Sequence, residues 1–203
     1  MRKAALLTLA FLLLAGCMTV PSKRYFQFNL APGPEDLMHP MVGKVLYVEP
    51  VRVDPLYDDF RILYRVSSYQ IGYYSYDFWA KKPDALIRET IGGYLDKMGG
   101  FSRVALDVLL VNPEITLRSN IRVIEEIDTP KVWFGRLAMD LEFLEFKSGR
   151  TLIKHSFDRR LPLAAQKVRF LPAAISSILK EELDKTVTIL AEYLKEKKGL
   201  PTS

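Results

Sequence analysis

The residue with the clearest chemistry in this chain is Cys17, the only cysteine among 203 residues. It closes the tetrapeptide Leu14-Ala15-Gly16-Cys17, behind an apolar run of eleven residues (Ala4–Leu14) and a short basic stretch, Arg2 and Lys3. A thiolate is a nucleophile, and two small residues before it suit a narrow peptidase pocket. The apolar run is shorter than the ~20 residues that span a bilayer and fits the h-region of a secretory signal. The four residues resemble a lipobox. They predict that residues 1–16 are removed and that Cys17 takes a diacylglyceryl group, with acyl chains such as palmitate forming a lasting anchor. A lone cysteine also excludes a disulfide within the chain. Met18 follows it, not the aspartate that resembles an inner-membrane retention signal, so sorting to the outer membrane is expected.

Elsewhere, chemistry is sparse. The only histidines are His39, beside Pro40 in a Pro-rich stretch, and His155, which shares a strand face with Ile153 and Phe157. A hydrogen-bonded structural histidine is the favoured reading of His155 over a metal ligand. The adjacent acids Glu125-Glu126 fall in a strand pattern, where neighbours point to opposite faces and make a poor acid/base couple. Asp58-Asp59 fall in a loop, where solvation or a turn accounts for them. No G-x-S-x-G elbow, P-loop, H-E-x-x-H or dinucleotide fingerprint is present. No enzyme activity, metal or cofactor is therefore expected. Arg2 and Lys3 leave with the signal, so the formal side-chain charge falls from +5 to +3. That surplus gives no case for nucleic acid.

One segment is unusual. Seven aromatics lie between Tyr64 and Trp79: Tyr64, Tyr69, Tyr73, Tyr74, Tyr76, Phe78 and Trp79. In a strand Tyr73 and Tyr74 face opposite ways, so a core on one side cannot hold both. Either the strand is central and covered on both faces, or it presents an aromatic face to another subunit, a partner or a lipid. Tyr73, Tyr74, Phe78 and Trp79 are the candidate contact residues.

The elements that position these residues are mostly strands. Alternation predicts strands at Tyr25–Phe28, at 44–49 continuing to Val53 past Pro50, and at Arg61–Val66 and Tyr69–Tyr76 as a hairpin across Ser67-Ser68. Pro83 at a first turn and Asp84 after it open a helix with the stripe Ile87, Ile91, Tyr94, Leu95 and Met98, closed by Gly99-Gly100. Gly92-Gly93 inside it predicts a close approach to a sheet or a neighbouring chain. Odd-numbered alternation through Ile115, Leu117, Ile121, Val123 and Ile127, then Leu137 to Phe143, then Ile153 to Leu161 after Ser148-Gly149, predicts an antiparallel meander. A last helix carries the stripe Leu171, Ile175, Leu179, Leu183, Val187, Leu190 and Leu194, with Glu181 and Lys185 as an i,i+4 pair. The expected fold class is α+β: a curved, mainly antiparallel sheet with two amphipathic helices packed on one face. The expected organisation is a signal at 1–16, a lipidated tether at 17–24 and one domain at 25–198.

Several of these segments, taken in order, resemble a known family. Tyr25-Phe26-Gln27-Phe28, the strand Val45–Val53, Arg61-Ile62-Leu63-Tyr64-Arg65, Tyr73-Tyr74 to Phe78-Trp79-Ala80, the Pro83 helix and Phe101-Ser102-Arg103-Val104 are together similar to the ABC-type transport auxiliary lipoproteins. These are partners of MCE-domain systems, including the paraquat-inducible Pqi system. The resemblance covers most of the chain from Cys17 onward, by pattern more than by residue in the second half. It implies a non-enzymatic role at the outer membrane, docking an MCE-domain lipid carrier that is driven by an ABC permease and ATPase. It also implies a homo-oligomer, and it brings no catalytic residue. The other class left open is a structural or regulatory lipoprotein bound to a cell-wall synthase or a Tol-like complex.

Overall fold

The computed structural model describes residues 21–31 and 42–199, so Cys17, Met18 and His39 lie outside the described residues. In chain order its elements are β1 (Arg24–Phe26), β2 (Val45–Val48), β3 (Arg52–Val53), β4 (Arg61–Ser67), β5 (Gln70–Trp79), α1 (Pro83–Met98), β6 (Arg103–Ala105), β7 (Ile115–Ile127), β8 (Phe134–Glu145), β9 (Thr151–Pro162) and α2 (Leu171–Gly199).

The long strand β7 organises the sheet. One edge pairs antiparallel with β8 along its length, and β8 pairs antiparallel with β9. This is the meander that the alternation predicts. The other edge of β7 is shared end to end by three short parallel strands, β2, β3 and β4. Outward from these, β6 pairs with β2, β5 with β4, and β1 with β5. The result is a curled, open, mixed half-barrel of nine strands, α+β in class. Antiparallel ladders make up most of its paired length, while every ladder between non-consecutive strands is parallel. Alternation reports which face a side chain takes but not strand direction, so the parallel half is invisible in the sequence pattern.

Strand ends shift in instructive ways. β1 stops at Phe26, and Phe28 leaves the ladder to pack its ring 5.0 Å from that of Trp79. Pro50 falls where the expected single strand divides into β2 and β3. The hairpin turns at Ser68-Tyr69, with the Tyr69 amide donating to Ser67 Oγ, and β5 runs three residues past Tyr76. In β7 the odd-numbered alternation fails after Ile121. Ile121 faces Met139 and Val123 faces Ala138, so Arg122 is the extra residue of a β-bulge. Beyond it Ile124 takes the core position and Val123 is only partly buried.

Both helices form where the stripes place them. In α1 Leu86, Ile87, Ile91, Tyr94, Leu95 and Met98 are buried, and Gly99 ends the helix with φ +69° in the left-handed region open to glycine. A Cβ on Gly92 would come 2.7 Å from Leu106 Cδ2, whereas one on Gly93 would meet nothing within 4 Å. The close approach is thus made by Gly92 alone, to a side chain just after β6. In α2 the predicted stripe from Leu171 to Leu190 is fully buried against β8 and β9. Lys185 pairs with Glu182 at 2.8 Å, not with Glu181, which instead meets Arg159 at 3.0 Å. Tyr94 of α1 donates to Asp184 of α2 at 2.5 Å, so the helices lie side by side on one face of the sheet.

Gly135 marks where α2 sits closest to β8. A Cβ there would lie 2.9 Å from the Ala174 Cβ and 3.1 Å from Leu171 Cδ1. Gly135→Val should therefore push the start of α2 off the sheet and cost about 1–3 kcal/mol, as overpacking does. Urea denaturation measures it, and an unchanged midpoint would mean that α2 does not rest on Gly135.

Candidate functional site at the aromatic edge

The irregularity in β5 decides what its aromatics do. Leu63 faces Tyr73 and Arg61 faces Phe78, so four residues of β5 oppose one of β4 and the strand bulges across 74–77. Tyr73 stays on the helix-free face, where its hydroxyl donates to the Leu56 carbonyl at 2.8 Å and the Arg61 guanidinium lies 4.4 Å from its ring. Tyr74 turns to the helix side, its ring 4.9 Å from that of Tyr64, and its hydroxyl donates to Glu126 Oε1. Asp77 is nearly fully buried and holds Arg24 of β1 through two hydrogen bonds, 2.6 and 2.9 Å. Phe78 stacks on the exposed Tyr25 at 5.6 Å, and Trp79 is 1 % exposed in the core.

The four candidate contact residues therefore separate. Trp79 is a core residue and cannot serve as a contact on this chain's surface. Tyr73 and Tyr74 are half-buried and tied by their hydroxyls. Phe78 is left to form an aromatic surface with Tyr25 at the β1 edge, and Tyr76 is exposed.

Glu125 and Glu126 face opposite ways, as neighbours in a strand must, yet both are fully buried. Glu125 sits on the helix-free side between Arg65 (2.9 Å) and Arg136 (3.1 Å) and accepts from Tyr57 Oη at 3.0 Å. Burial, with the Glu125 charge beside it, pushes the Tyr57 phenol up to about 12. Glu126 sits on the helix side with no arginine. Burial, with Asp128 close by, pushes its carboxyl up to about 8, and burial also raises Asp128. Glu126 Oε2 and Asp128 Oδ1 have no hydrogen-bond partner. A site of this kind holds a proton between the neighbouring Glu126 and Asp128 carboxyls.

The other acids and the histidine singled out in the sequence are held in ion pairs among the described residues. His155 Nε2 lies 2.7 Å from Glu182, which also receives Arg159 and Lys185. Burial pushes Glu182 up, but the hydrogen bonds from Lys185 and His155 outweigh it and hold the carboxyl below its usual range. Asp59 accepts from the Arg61 guanidinium and amide, and Asp58 pairs with Lys82 at 3.0 Å, so this acidic pair closes a turn. Across the open face Arg118 pairs with Glu49 and Glu142, and Arg122 with Asp140. Both of these arginines thus meet a carboxylate. Among the described residues no group of three His, Cys, Asp or Glu could hold a metal ion.

The concave surface lies instead beside β1. A groove of about 680 Å³ runs between β1 with the chain after it and the first turns of α2, lined by Tyr25, Phe26, Leu30, Arg169 and Ala173 among others. A second hollow of about 350 Å³ adjoins it through Arg169 and is lined by Arg24, Tyr74, Trp133, Lys167 and Val168. Neither lining contains an aspartate or glutamate among the described residues. Motif and periodicity do not single out Lys167 and Arg169. The signal that could is their position: cations just before a helix N-terminus oppose the helix dipole, so they are out of place for stability alone.

Fold comparison gives this architecture a precedent. Protein XCC0632 from Xanthomonas campestris, of family DUF330, superposes with a TM-score of 0.74 at 15% identity, over 89% of this chain and 100% of that one. The two share one fold. A second, uncharacterized protein superposes at 0.63 with 17% identity, over 86% and 99% of the two chains. The hypothetical protein CT253 from Chlamydia trachomatis does so at 0.51 with 8% identity, over 73% and 98%. No family model and no curated protein matches the sequence. No helix among the described residues is long and apolar enough to cross a membrane.

Proposed function

We propose that this chain is a lipid-anchored envelope lipoprotein, cleaved before Cys17 and facing the periplasm from the outer membrane. In this reading it is a non-enzymatic auxiliary subunit of an ABC/MCE-type transport system. It docks the periplasmic carrier of phospholipid or another apolar molecule, and it works as a homo-oligomer. The observation that carries the anchor is Leu14-Ala15-Gly16-Cys17 behind an eleven-residue apolar run. The transport role rests on the ordered resemblance from Tyr25 to Val104, and the α+β half-barrel is compatible with it. Among the described residues unpaired acid/base groups are few, which supports binding over catalysis.

Two measurements test the reading. Intact mass of the chain purified from membranes should correspond to residues 17–203 plus acyl groups on Cys17; a chain starting at Met1 would overturn the anchor. Affinity purification from cross-linked membranes should bring down an MCE-domain protein. Recovery of a cell-wall synthase or Tol-like component in its place would overturn the transport role and leave the anchor standing.

A further inference from the structure

We infer that the surface around β1 and the start of α2 docks directly against the anionic phospholipid surface that holds Cys17. The inference rests on acylation at Cys17 and adds to it which face of the domain meets the lipid.

Chain length sets the first constraint. Arg24 is the seventh residue after Cys17, and a fully extended chain covers at most about 25 Å over that span. The anchored end therefore enters the fold at β1, and the surface beside β1 is held next to the bilayer. Composition gives the second. Arg169 lines both hollows, Arg24 and Lys167 line the second, and Lys23 precedes Arg24 in the chain; both hollows lack carboxylates among the described residues. Among the described residues Arg24 is neutralised by Asp77, whereas Lys23 lies 5.5 Å from the centre of the Phe78 ring. On the helix-free face, by contrast, Arg61, Arg65, Arg118, Arg122 and Arg136 each meet a carboxylate. Aromatics give the third. Tyr25 is 63 % exposed and stacked on Phe78, and Trp133 lines the inner hollow. Aromatic rings with a polar end beside lysine and arginine suit the headgroup level of a bilayer, and a juxtamembrane cluster of cations is drawn to anionic lipid.

Thiol labelling of the full acylated chain in vesicles tests this, because acylation leaves Cys17 without a free thiol. Tyr25→Cys reports on the docking surface. Tyr69→Cys, fully exposed at the hairpin tip about 20 Å along the β4–β5 ladder, reports on the far end. Flotation with the vesicles first establishes that the anchor is present, so a missing anchor is told apart from a missing contact. On vesicles of phosphatidylcholine with phosphatidylglycerol, an impermeant maleimide should react with Tyr25→Cys about tenfold more slowly than on phosphatidylcholine alone, while Tyr69→Cys is unaffected. Adding Lys23→Glu, Lys167→Glu and Arg169→Glu should restore the rate. Equal rates on the two lipids would overturn the inference, as would protection that survives the charge reversal. Protection that persists in detergent and rises with protein concentration would also overturn it, by showing that a second copy covers this surface.

Discussion

Trp79→Ala is expected to lower stability by about 3–5 kcal/mol, the cost of emptying a large aromatic site in a packed core. The indole is 1 % exposed and packs against Phe28, and the Trp79 amide donates to the Phe60 carbonyl at 2.6 Å. Trp79 also faces Phe26 in the register of β1 against β5, so the loss falls on the seam that joins the first strand to the sheet. Urea denaturation measures the effect. Phe78→Ala is the matched control: its ring is half-buried against exposed Tyr25, and its expected cost is about 1 kcal/mol. A Trp79→Ala variant with an unchanged midpoint but lost self-association would contradict the core assignment.

Stability should also fall as pH rises from 5 to 9, and Glu126 is the principal cause. Its ordinary value is 4.5 and the fold raises it to about 8. Between those values the folded chain keeps a proton that the unfolded chain has lost, so folding is weakened as the proton becomes scarcer. Below pH 4.5 both states are protonated and the group contributes no slope; above pH 8 both are ionised and the loss is complete. A tenfold difference in proton affinity between the folded and unfolded chains is worth ~1.4 kcal/mol, which puts the total on the order of several kcal/mol. The raised Asp128 carboxyl acts in the same direction. Carboxyls held low by arginine, such as Asp158 beside Arg136, act oppositely and only in the acid range below about pH 4. Glu126→Gln should match the wild type at pH 5 and exceed it at pH 9. Urea midpoints at pH 5, 7 and 9 read this directly, and parallel pH profiles for the two proteins would sink the assignment.

The parts of the fold legible in the sequence are those that follow physical periodicity. The stripes of α1 and α2 repeat at helical spacing over sixteen and 29 residues, and Pro83, Asp84 and Gly99 punctuate the first of them. The β7–β8–β9 meander is legible because local alternation and the Ser148-Gly149 turn specify neighbours that are also consecutive in the chain. The parallel strands are not, because β2, β3 and β4 meet β7 only after α1 and β6 have intervened. The aromatic segment is visible as composition but not as roles. Which ring is core, which is tied by its hydroxyl and which is exposed depends on the bulge at 74–77, and that bulge has no glycine or proline to announce it. The burial of Glu125 is hidden for a similar reason, since one of its two arginines, Arg65, lies sixty residues away in sequence.

Arg122 shows how much hangs on a single insertion. As the unpaired residue of the β7 bulge it clamps outward, to Asp140 at 3.2 Å and the Phe157 carbonyl at 2.9 Å. Its larger effect is on parity. Every side chain from Val123 to Ile127 takes the opposite face from the one an uninterrupted count would give it. A regular strand that kept this residue in the ladder would exchange the two acids, turning Glu125 in among the helices and Glu126 out toward two arginines, while Ile124 left the core. Arg122 thus acts as a phase shifter in the chain: one residue decides which carboxylate is met by positive charge and which must keep its proton.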